Sequence, residues 1–334
     1  MTKSFVHLHA HTEYSMLDGA AKIVDYLKKV KELNQPAAAI TDHGNLYGAM
    51  EFVQKANDLG IKPIIGYEAY ITPGSRFDRP DRENNKRYHL TLLAENNIGY
   101  QNLVELVSKA YTEGYYYKPR IDYELLDQHH DGLIALSGCL GGELAQHLAP
   151  DGSVEEGNTS NERSFEKALD IAKKYQSIFG KENYFIEIHN HGIKQQLDIL
   201  DDLVEIAELI DAPLVAANDS HYVEENGAEA HDALLCVQTN RTLDDESRFR
   251  FDGSGYYVKS AEEMRKLFPE DKYPGACDNT LAIANRVNYE FNFDNSYLPD
   301  FPIEDKNVSP EELLKIKVYE GGEGKYETLI FKSS

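Results

Sequence analysis

This chain of 334 residues lacks any apolar run long enough to span a bilayer, and its mean hydropathy is −0.53. A spanning helix needs about 20 consecutive, largely apolar residues, so no membrane partner is expected. The first residues also lack a basic stretch followed by an apolar one, so no secretory leader is expected. Cysteine is scarce and irregularly spaced, at Cys139, Cys236 and Cys277. That argues against a disulfide framework and for a reducing, cytoplasmic setting. Positive charge is in short supply: 34 Lys and Arg face 57 Asp and Glu, a formal net charge of −23. Binding to nucleic acid in general draws on Lys and Arg that neutralise phosphates, so a broad DNA-wrapping surface is excluded. A phosphodiester-processing site is not, because bound metal ions invert the local field. Internal repeats are not evident.

What remains is enough for a core. Hydrophobic residues make up 41%, and the length allows one large domain or two smaller ones. Short apolar runs recur at residues 5–11, 37–43, 62–71, 88–94, 132–139, 184–191 and 213–221. Amphipathic stretches lie between them. Ile23, Leu27, Val30 and Leu33 form one helical stripe, Leu103, Leu106, Val107 and Ala110 a second, and Leu200, Leu203, Ile206, Ala207 and Ile210 a third. Repeated strand-then-helix units with near-continuous apolar strands predict a parallel sheet covered by helices, closed at this length into a barrel. Residues 72–87 and 149–161 are polar and read as loops. Beyond residue 288 the pattern changes: a connector with three prolines precedes "EELLKIKVYEGGEGKYETLIFKSS", which starts like a helix and then alternates like a hairpin. The expected division is therefore residues 1–288 and 289–334.

The polar residues at one end of these strands carry the chemistry. The first strand has His7, His9 and His11 in "HLHAH", with Asp18 beyond. The others bring Asp42 and His43, Glu68, His89, Cys139, the run Glu187, His189, His191, and finally Asp219 and His221. Side chains two apart on a strand share a face, so His9 with His11, and Asp219 with His221, can point together into a barrel mouth. The C-terminal face is where parallel α/β barrels build their sites. Imidazoles, carboxylates and one thiol suit Zn²⁺, Mn²⁺ or Fe²⁺ better than Ca²⁺. So many donors imply more than one ion, the usual device for phosphoester hydrolysis. His7 is expected behind the ligands rather than among them. Asp42 is expected to orient a ligand ring or to cap a helix. Glu187, His189 and His191 read as barrel lining, Cys236 and Cys277 as core, and His129, His130, His147 and His231 as surface.

The motifs "FVHLHAHTEYSMLDGA", "AITDHGNLYGA", "GYEAYI", "YHLTLLAEN", "GYYYKPRID", "LSGCLGGE", "EIHNHGI" and "VAANDSHY" resemble those of the PHP (polymerase and histidinol phosphatase) family. They are most similar to the branch found in the α subunits of bacterial replicative DNA polymerase III. The likeness runs over about residues 4–290. It implies a distorted (βα)7 TIM-like barrel with a trinuclear site of divalent Zn, Mn or Fe ions at the C-terminal ends of the strands. The ligand positions that carry over are His9, His11, Asp18, His43, Glu68, His89, Cys139, Asp219 and His221. The implied grouping puts His9, His11, Glu68 and Asp219 on one ion, as the catalytic set. Glu68 would bridge to a second ion held by His89 and Cys139, and Asp18, His43 and His221 would hold the third. The implied activity is 3′–5′ exonuclease proofreading during replication. Its partners would be the DNA 3′ primer end and the remainder of the polymerase α subunit with other replisome components. The same resemblance allows a silent metal-stabilised scaffold or a small-molecule phosphomonoesterase. Lys118 and Arg120 of "YYYKPR" are candidates to touch the DNA backbone, against aromatic packing with a helix cap from Asp122. No paired polymerase aspartates are found, so this chain is not expected to polymerise. Its tail ends abruptly, as a truncated or non-native segment would.

Overall fold

The computed structural model describes residues 4–81, 84–149, 162–291, 293, 301–303, 305 and 307–323. Residues 150–161 of the expected second loop, and most of the tail after 291, lie outside the described residues. The chain divides into two compact units, residues 1–289 and 290–334.

In the first unit the sheet has seven strands: β1 (Ala37–Ile40), β2 (Lys62–Ile71), β3 (Tyr88–Ala94), β4 (Arg120–Ile121), β5 (Leu133–Leu136), β6 (Tyr184–Ile188) and β7 (Leu214–Ala216). Their order is β1-β2-β3-β5-β6-β7, with β4 added beside β2. Helices α1 (Ile23–Glu32), α2 (Ala49–Leu59), α3 (Asn97–Thr112), α4 (Tyr123–Gln128), α5 (Glu143–Leu148), α6 (Phe165–Phe179), α7 (Lys194–Ile210), α8 (Ala228–Thr239), α9 (Ala261–Leu267) and α10 (Asp278–Arg286) fill the connections. The stripes read from the sequence are the buried faces: Ile23, Leu27 and Val30 of α1, Leu103, Leu106 and Ala110 of α3, and Leu200, Leu203, Ile206, Ala207 and Ile210 of α7. Burial of each such side chain contributes about 1.5–3 kcal/mol. The sheet curls around a cluster that includes Val6, Leu8, Ala39, Ile64, Leu93, Ile134 and Val215, which Ile283 and Ala284 of α10 join.

The sheet is mixed, not parallel as expected. β3 runs antiparallel to both β2 and β5. No helix intervenes between β2 and β3, and only a crossover can return a chain in the same direction. The loop at residues 72–87 therefore sends β3 backwards, with His89 opposite Tyr70 and Tyr88 opposite Ile71. β1, β5, β6 and β7 are shorter than the expected 37–43, 132–139, 184–191 and 213–221, and the expected first strand is irregular. Residues 5–8 take no regular structure, the chain bends at His9, and Ala10 forms a single bridge to Ser220. This segment is still bonded on both sides. The Ala39 and Thr41 amides donate to the His7 and Ala10 carbonyls at 3.0 and 2.9 Å, and the His11 amide donates to the Ser220 carbonyl at 2.8 Å. β4 was not anticipated at all.

In the second unit the ambiguous tail is helical where described. Helix α11 (Pro310–Glu323) runs through "EGG", and the later half of the hairpin alternative lies outside the described residues. Its start has a reciprocal capping box: the Glu312 amide donates to Ser309 Oγ at 3.2 Å and the Ser309 amide to Glu312 Oε2 at 3.0 Å. Pro310 follows at the position where a missing amide costs least.

One backbone contact tests this packing. A Cβ on Gly99 of α3 would lie 1.8 Å from the Gly132 carbonyl oxygen, and that oxygen accepts from the Glu95 amide. Gly99→Ala is expected to destabilise the chain by about 2–4 kcal/mol. It should lower the thermal midpoint by several degrees in calorimetry, and an unchanged midpoint would refute the contact.

Candidate metal centre

The loop that follows "HLHAH" is a tight fold-back. The Ser15 amide donates to the Thr12 carbonyl, and the Asp18 and Gly19 amides both donate to the Ser15 carbonyl, at 2.8–2.9 Å. Leu17 sits at φ 64°, and a Cβ on Gly19 would come within 2.0 Å of the Thr12 oxygen. A side chain at position 19 has no room, and the turn swings Asp18 back over the histidines. Asp18 Oδ2 lies 2.8 Å from His43 Nε2 and 3.3 Å from His221 Nε2. The other donors arrive at strand ends. His43 follows β1, Cys139 follows β5, and Asp219 and His221 follow β7, with Asp219 itself at φ 45°. His89 stands at the start of β3. Because β3 is antiparallel, its start meets the C-terminal end of β2, so His89 joins the same mouth.

Glu68 of β2 is the hub. Its two oxygens lie 3.3 Å from His9 Nε2, 3.4 Å from His11 Nε2, 2.6 Å from His43 Nδ1 and 2.9 Å from His89 Nδ1. Cys139 Sγ is 3.6 Å from both Glu68 Oε1 and His89 Nδ1. Asp219 Oδ1 lies 3.4 Å from His9 Nε2, 3.2 Å from His11 Nε2 and 3.5 Å from His221 Nδ1. The His11 ring stacks between His43 and His221, at 4.1 and 4.3 Å. Four groups of donors close enough to share one ion emerge among the described residues: His9, His11 and Asp219; His43, Glu68 and His89; His11, His43 and His221; and His9, Glu187 and His189.

The donor set passes a direct test of fit to a cation. His9 Nε2, His11 Nε2, His221 Nε2, Glu68 Oε2 and Asp219 Oδ1 are buried and make no hydrogen bond. Such atoms cost free energy unless something else meets them. Donors about 2.1 Å from one ion and about 90–110° apart lie about 3.0–3.4 Å from each other, which matches the contacts of 3.2–3.4 Å that His9 and His11 make with Glu68 and Asp219. The electrostatics show what the carboxylates attract, a proton or a metal ion alike. Burial, reinforced by His43 and His221 alongside, lowers the His11 pKa to about 3, so its ring is neutral with a free lone pair. Burial works against charge on His9, but Asp219, Glu187 and Glu68 outweigh it and raise its pKa. Burial likewise opposes ionisation of Glu68, and His89, His43 and His9 overcome it, holding the carboxyl well below its usual range. Burial first, then the Glu68 charge, pushes the Cys139 thiol up to about 12. A thiolate forms there only with a cation beside it.

Other residues fix the ligands' orientation. Asp42 accepts from the Thr12 amide at 2.6 Å, from Thr12 Oγ1 at 2.8 Å and from Ser15 Oγ at 2.7 Å. With its proton given to Asp42, Ser15 Oγ accepts from His11 Nδ1 at 2.8 Å, leaving Nε2 for an ion. Asp42 thus holds the His11 ring in place through Ser15. The Glu187 carboxylate does the same for His9, 2.7 Å from its Nδ1, while its other oxygen takes the Gly138 amide at 2.9 Å. Reading Glu187 as lining missed this. The signal was available in its alternation with His189, which binds the same carboxylate oxygen at 3.0 Å.

Three expectations need correction. His7 does not sit behind the ligands: its ring bonds to the Lys259 carbonyl at 2.9 Å and packs edge-on to Phe5, because the bend at His9 breaks the alternation. Arg120 is fully buried, its guanidinium donating to the Gly114, Arg76 and Asp78 carbonyls and to Asn85. It anchors the loops and cannot reach DNA. His231 is buried rather than on the surface, with Nε2 2.8 Å from the Asp18 carbonyl, so it braces the fold-back from α8. Lys118 is half-buried, its Nζ 3.1 Å from the Tyr70 hydroxyl, and Tyr70 stacks beside His43 at 5.9 Å. Asp122 does cap α4, accepting from the Leu125 amide at 3.0 Å. Among the described residues no helix is long and apolar enough to cross a membrane.

Comparison with known proteins places these residues in a lineage. The family model for the PHP domain matches residues 7–191. DNA polymerase III subunit alpha of Saccharopolyspora erythraea is 46% identical over 307 residues, covering 86% of this chain and 25% of that protein. The same subunit of Thermus aquaticus is 45% identical over 324 residues, covering 93% of this chain and 25% of its own length. The chain thus spans about a quarter of the length of these curated relatives. A crystal structure from Bifidobacterium adolescentis, of a protein proposed to be a metal-dependent phosphoesterase, aligns over 79% of this chain and 95% of that one with a TM-score of 0.38 and 11% identity. So slight a likeness carries no argument.

The orienting contacts yield a measurable expectation. Asp42→Ala and Glu187→Ala each keep His9, His11, Asp18, His43, Glu68, His89, Cys139, Asp219 and His221 but free a histidine ring, and should weaken Zn²⁺ binding by about 10–100-fold. Competition against a chromophoric chelator reads this directly, and wild-type affinity in both variants would remove them from the site's support.

Proposed function

This chain belongs to the PHP domain family, and we propose that it acts as the metal-dependent 3′–5′ exonuclease domain of a bacterial replicative DNA polymerase III α subunit. The observation that carries the reading is the convergence on Glu68 and Asp219 of buried imidazole nitrogens with no hydrogen-bond partner. His9, His11, Glu68 and Asp219 would hold one ion, Glu68, His89 and Cys139 a second, and Asp18, His43 and His221 a third. Divalent ions bound there would supply Lewis acidity and an activated water, the usual chemistry of multi-metal phosphoesterases. The chain's own part is placement. Glu187 and Asp42 hold the rings of His9 and His11, whose side chains are buried. Lys118 offers an ammonium group beside the His43 side of the mouth, where a phosphate could meet it.

The barrel is part of the proposal. Residues 5–11 bond to β1 on one side and to Ser220 on the other, which supports closing the sheet into a distorted seven-stranded barrel that presents the site at one end. The barrel domain would end near residue 288, with residues 289–334 leading toward the remainder of the α subunit and its replisome partners. The DNA partner would be the 3′ end of a primer strand. Zn, Mn and Fe all match the donor set.

The test is shortening of a DNA strand in the presence of Mn²⁺ or Zn²⁺, with the label on the 5′ end so that the ladder reports removal from the 3′ end. His9→Ala and Asp219→Ala should each reduce it by more than about a hundredfold. A scaffold role would instead give a lowered melting temperature on chelation, with no turnover under any metal. Hydrolysis of a phosphomonoester with inertness toward DNA would transfer the chain to the small-molecule branch.

A further inference from the structure

We propose that Tyr47, Tyr111 and Tyr115 form a stacking platform that receives the unpaired bases of a single-stranded nucleic acid beside the metal centre. The proposal rests on the nuclease reading for its direction, since it supplies that site with a binding track. Tyr47 lies four residues after His43, and Tyr111 and Tyr115 come from the last turn of α3 and the loop beyond it. Their rings are in a row: Tyr47 and Tyr111 are 6.4 Å apart, and Tyr111 and Tyr115 are 6.0 Å apart with planes 24° from parallel. They are 56%, 37% and 54% exposed. Single apolar side chains on a surface need no explanation, but contiguous ones mark an interaction site.

The row is continuous with the mouth. A Cβ on Gly44, next to His43, would come within 2.8 Å of Pro119 and 3.1 Å of the Tyr70 ring, so the loop after Tyr115 is pressed against the ligand loop. Lys118 Nζ sits 4.9 Å over the Tyr70 ring, and Tyr70 meets the His43 and His89 rings at 5.9 and 5.3 Å. Charge favours the same occupant. Two cations flank Tyr115: Arg79, which donates to the Glu113 carbonyl at 3.1 Å, and Lys118, three residues further on. Arg79 lies over Tyr116, 5.5 Å from its ring centre. Aromatic rings interleaved with cations are how single strands are held without regard to sequence, because every base has a π face and every linkage a negative charge. A duplex, whose bases are already stacked on each other, has nothing to offer these rings.

The 334-residue chain, with metal chelated, is titrated into a fluorescein-labelled oligodeoxythymidine of about ten nucleotides and, separately, into a duplex of equal length, with anisotropy as the readout. The single strand should bind more tightly than the duplex. Tyr47→Ala, Tyr111→Ala and Tyr115→Ala should each weaken single-strand binding by about five- to a hundredfold, while the corresponding Phe variants bind like wild type and all melt like wild type. Ala variants that bind as well as wild type overturn the platform. So do Phe variants that lose as much as Ala, or a wild type that binds no single strand. Dimerisation of the chain that the Ala variants abolish, with no effect on DNA, would assign the row to a second copy and equally overturn it. Turnover of the same oligonucleotide with Mn²⁺ separates the two readings. Binding without hydrolysis by wild type defeats the nuclease reading alone, and hydrolysis with an unchanged KM in the Ala variants defeats the platform alone.

Discussion

The mouth of this domain depends on one buried carboxylate. Glu68 is withdrawn from water with both oxygens facing imidazoles, and taking such a charge out of water costs several kcal/mol unless positive charge compensates it. Its neighbours are therefore His9, His11, His43 and His89. They differ in what they carry: burial keeps His11 neutral, while His43, despite its burial, is raised to about 9 by Glu68 and Asp18. A divalent ion bound there would compete with protons for the same central charge. The acidity of the whole chain and the chemistry of its mouth thus have a common logic, since a carboxylate-rich cavity is attractive only to cations.

Much of this was legible in the sequence, because strand alternation is a strong geometric rule. "HLHAH", "TDH", "GYEAY" and "NDSH" put donors at strand ends, and the structure brings His9, His11, Asp18, His43, Glu68, His89, Cys139, Asp219 and His221 into one cluster. Alternation fails where the backbone is not a strand. The bend at His9 turns His7 toward Lys259, and no local propensity announces that bend. The direction of β3 was hidden for another reason. Parallel and antiparallel buried strands have the same apolar look, and only the lack of a helix between residues 72 and 87 separates them.

Arg120 and His231 show the reverse difficulty. Charge and polarity suggest a surface position for both, yet each is buried because a backbone carbonyl awaits it: several for Arg120, that of Asp18 for His231. A buried guanidinium is tolerable when its donors are matched, and that matching is a property of three loops meeting, not of any one segment. Glu187 belongs to the same class. Alternation with His189 shows that it faces the site, but its hold on the His9 ring is a contact of 2.7 Å across 178 positions of chain, which one strand's periodicity does not specify.

The bonding of residues 5–11 has a consequence for the order of assembly. Val6 finds its Thr280 partner 274 positions away, and His7 reaches Lys259 across 252. Contacts so distant in sequence form slowly, because long loops must close before any of them is rewarded. His9 and His11 precede Asp219 and His221 by about two hundred positions, so the donors cannot meet until the chain has extended past β7. The cluster around Glu68 is then a late event of folding.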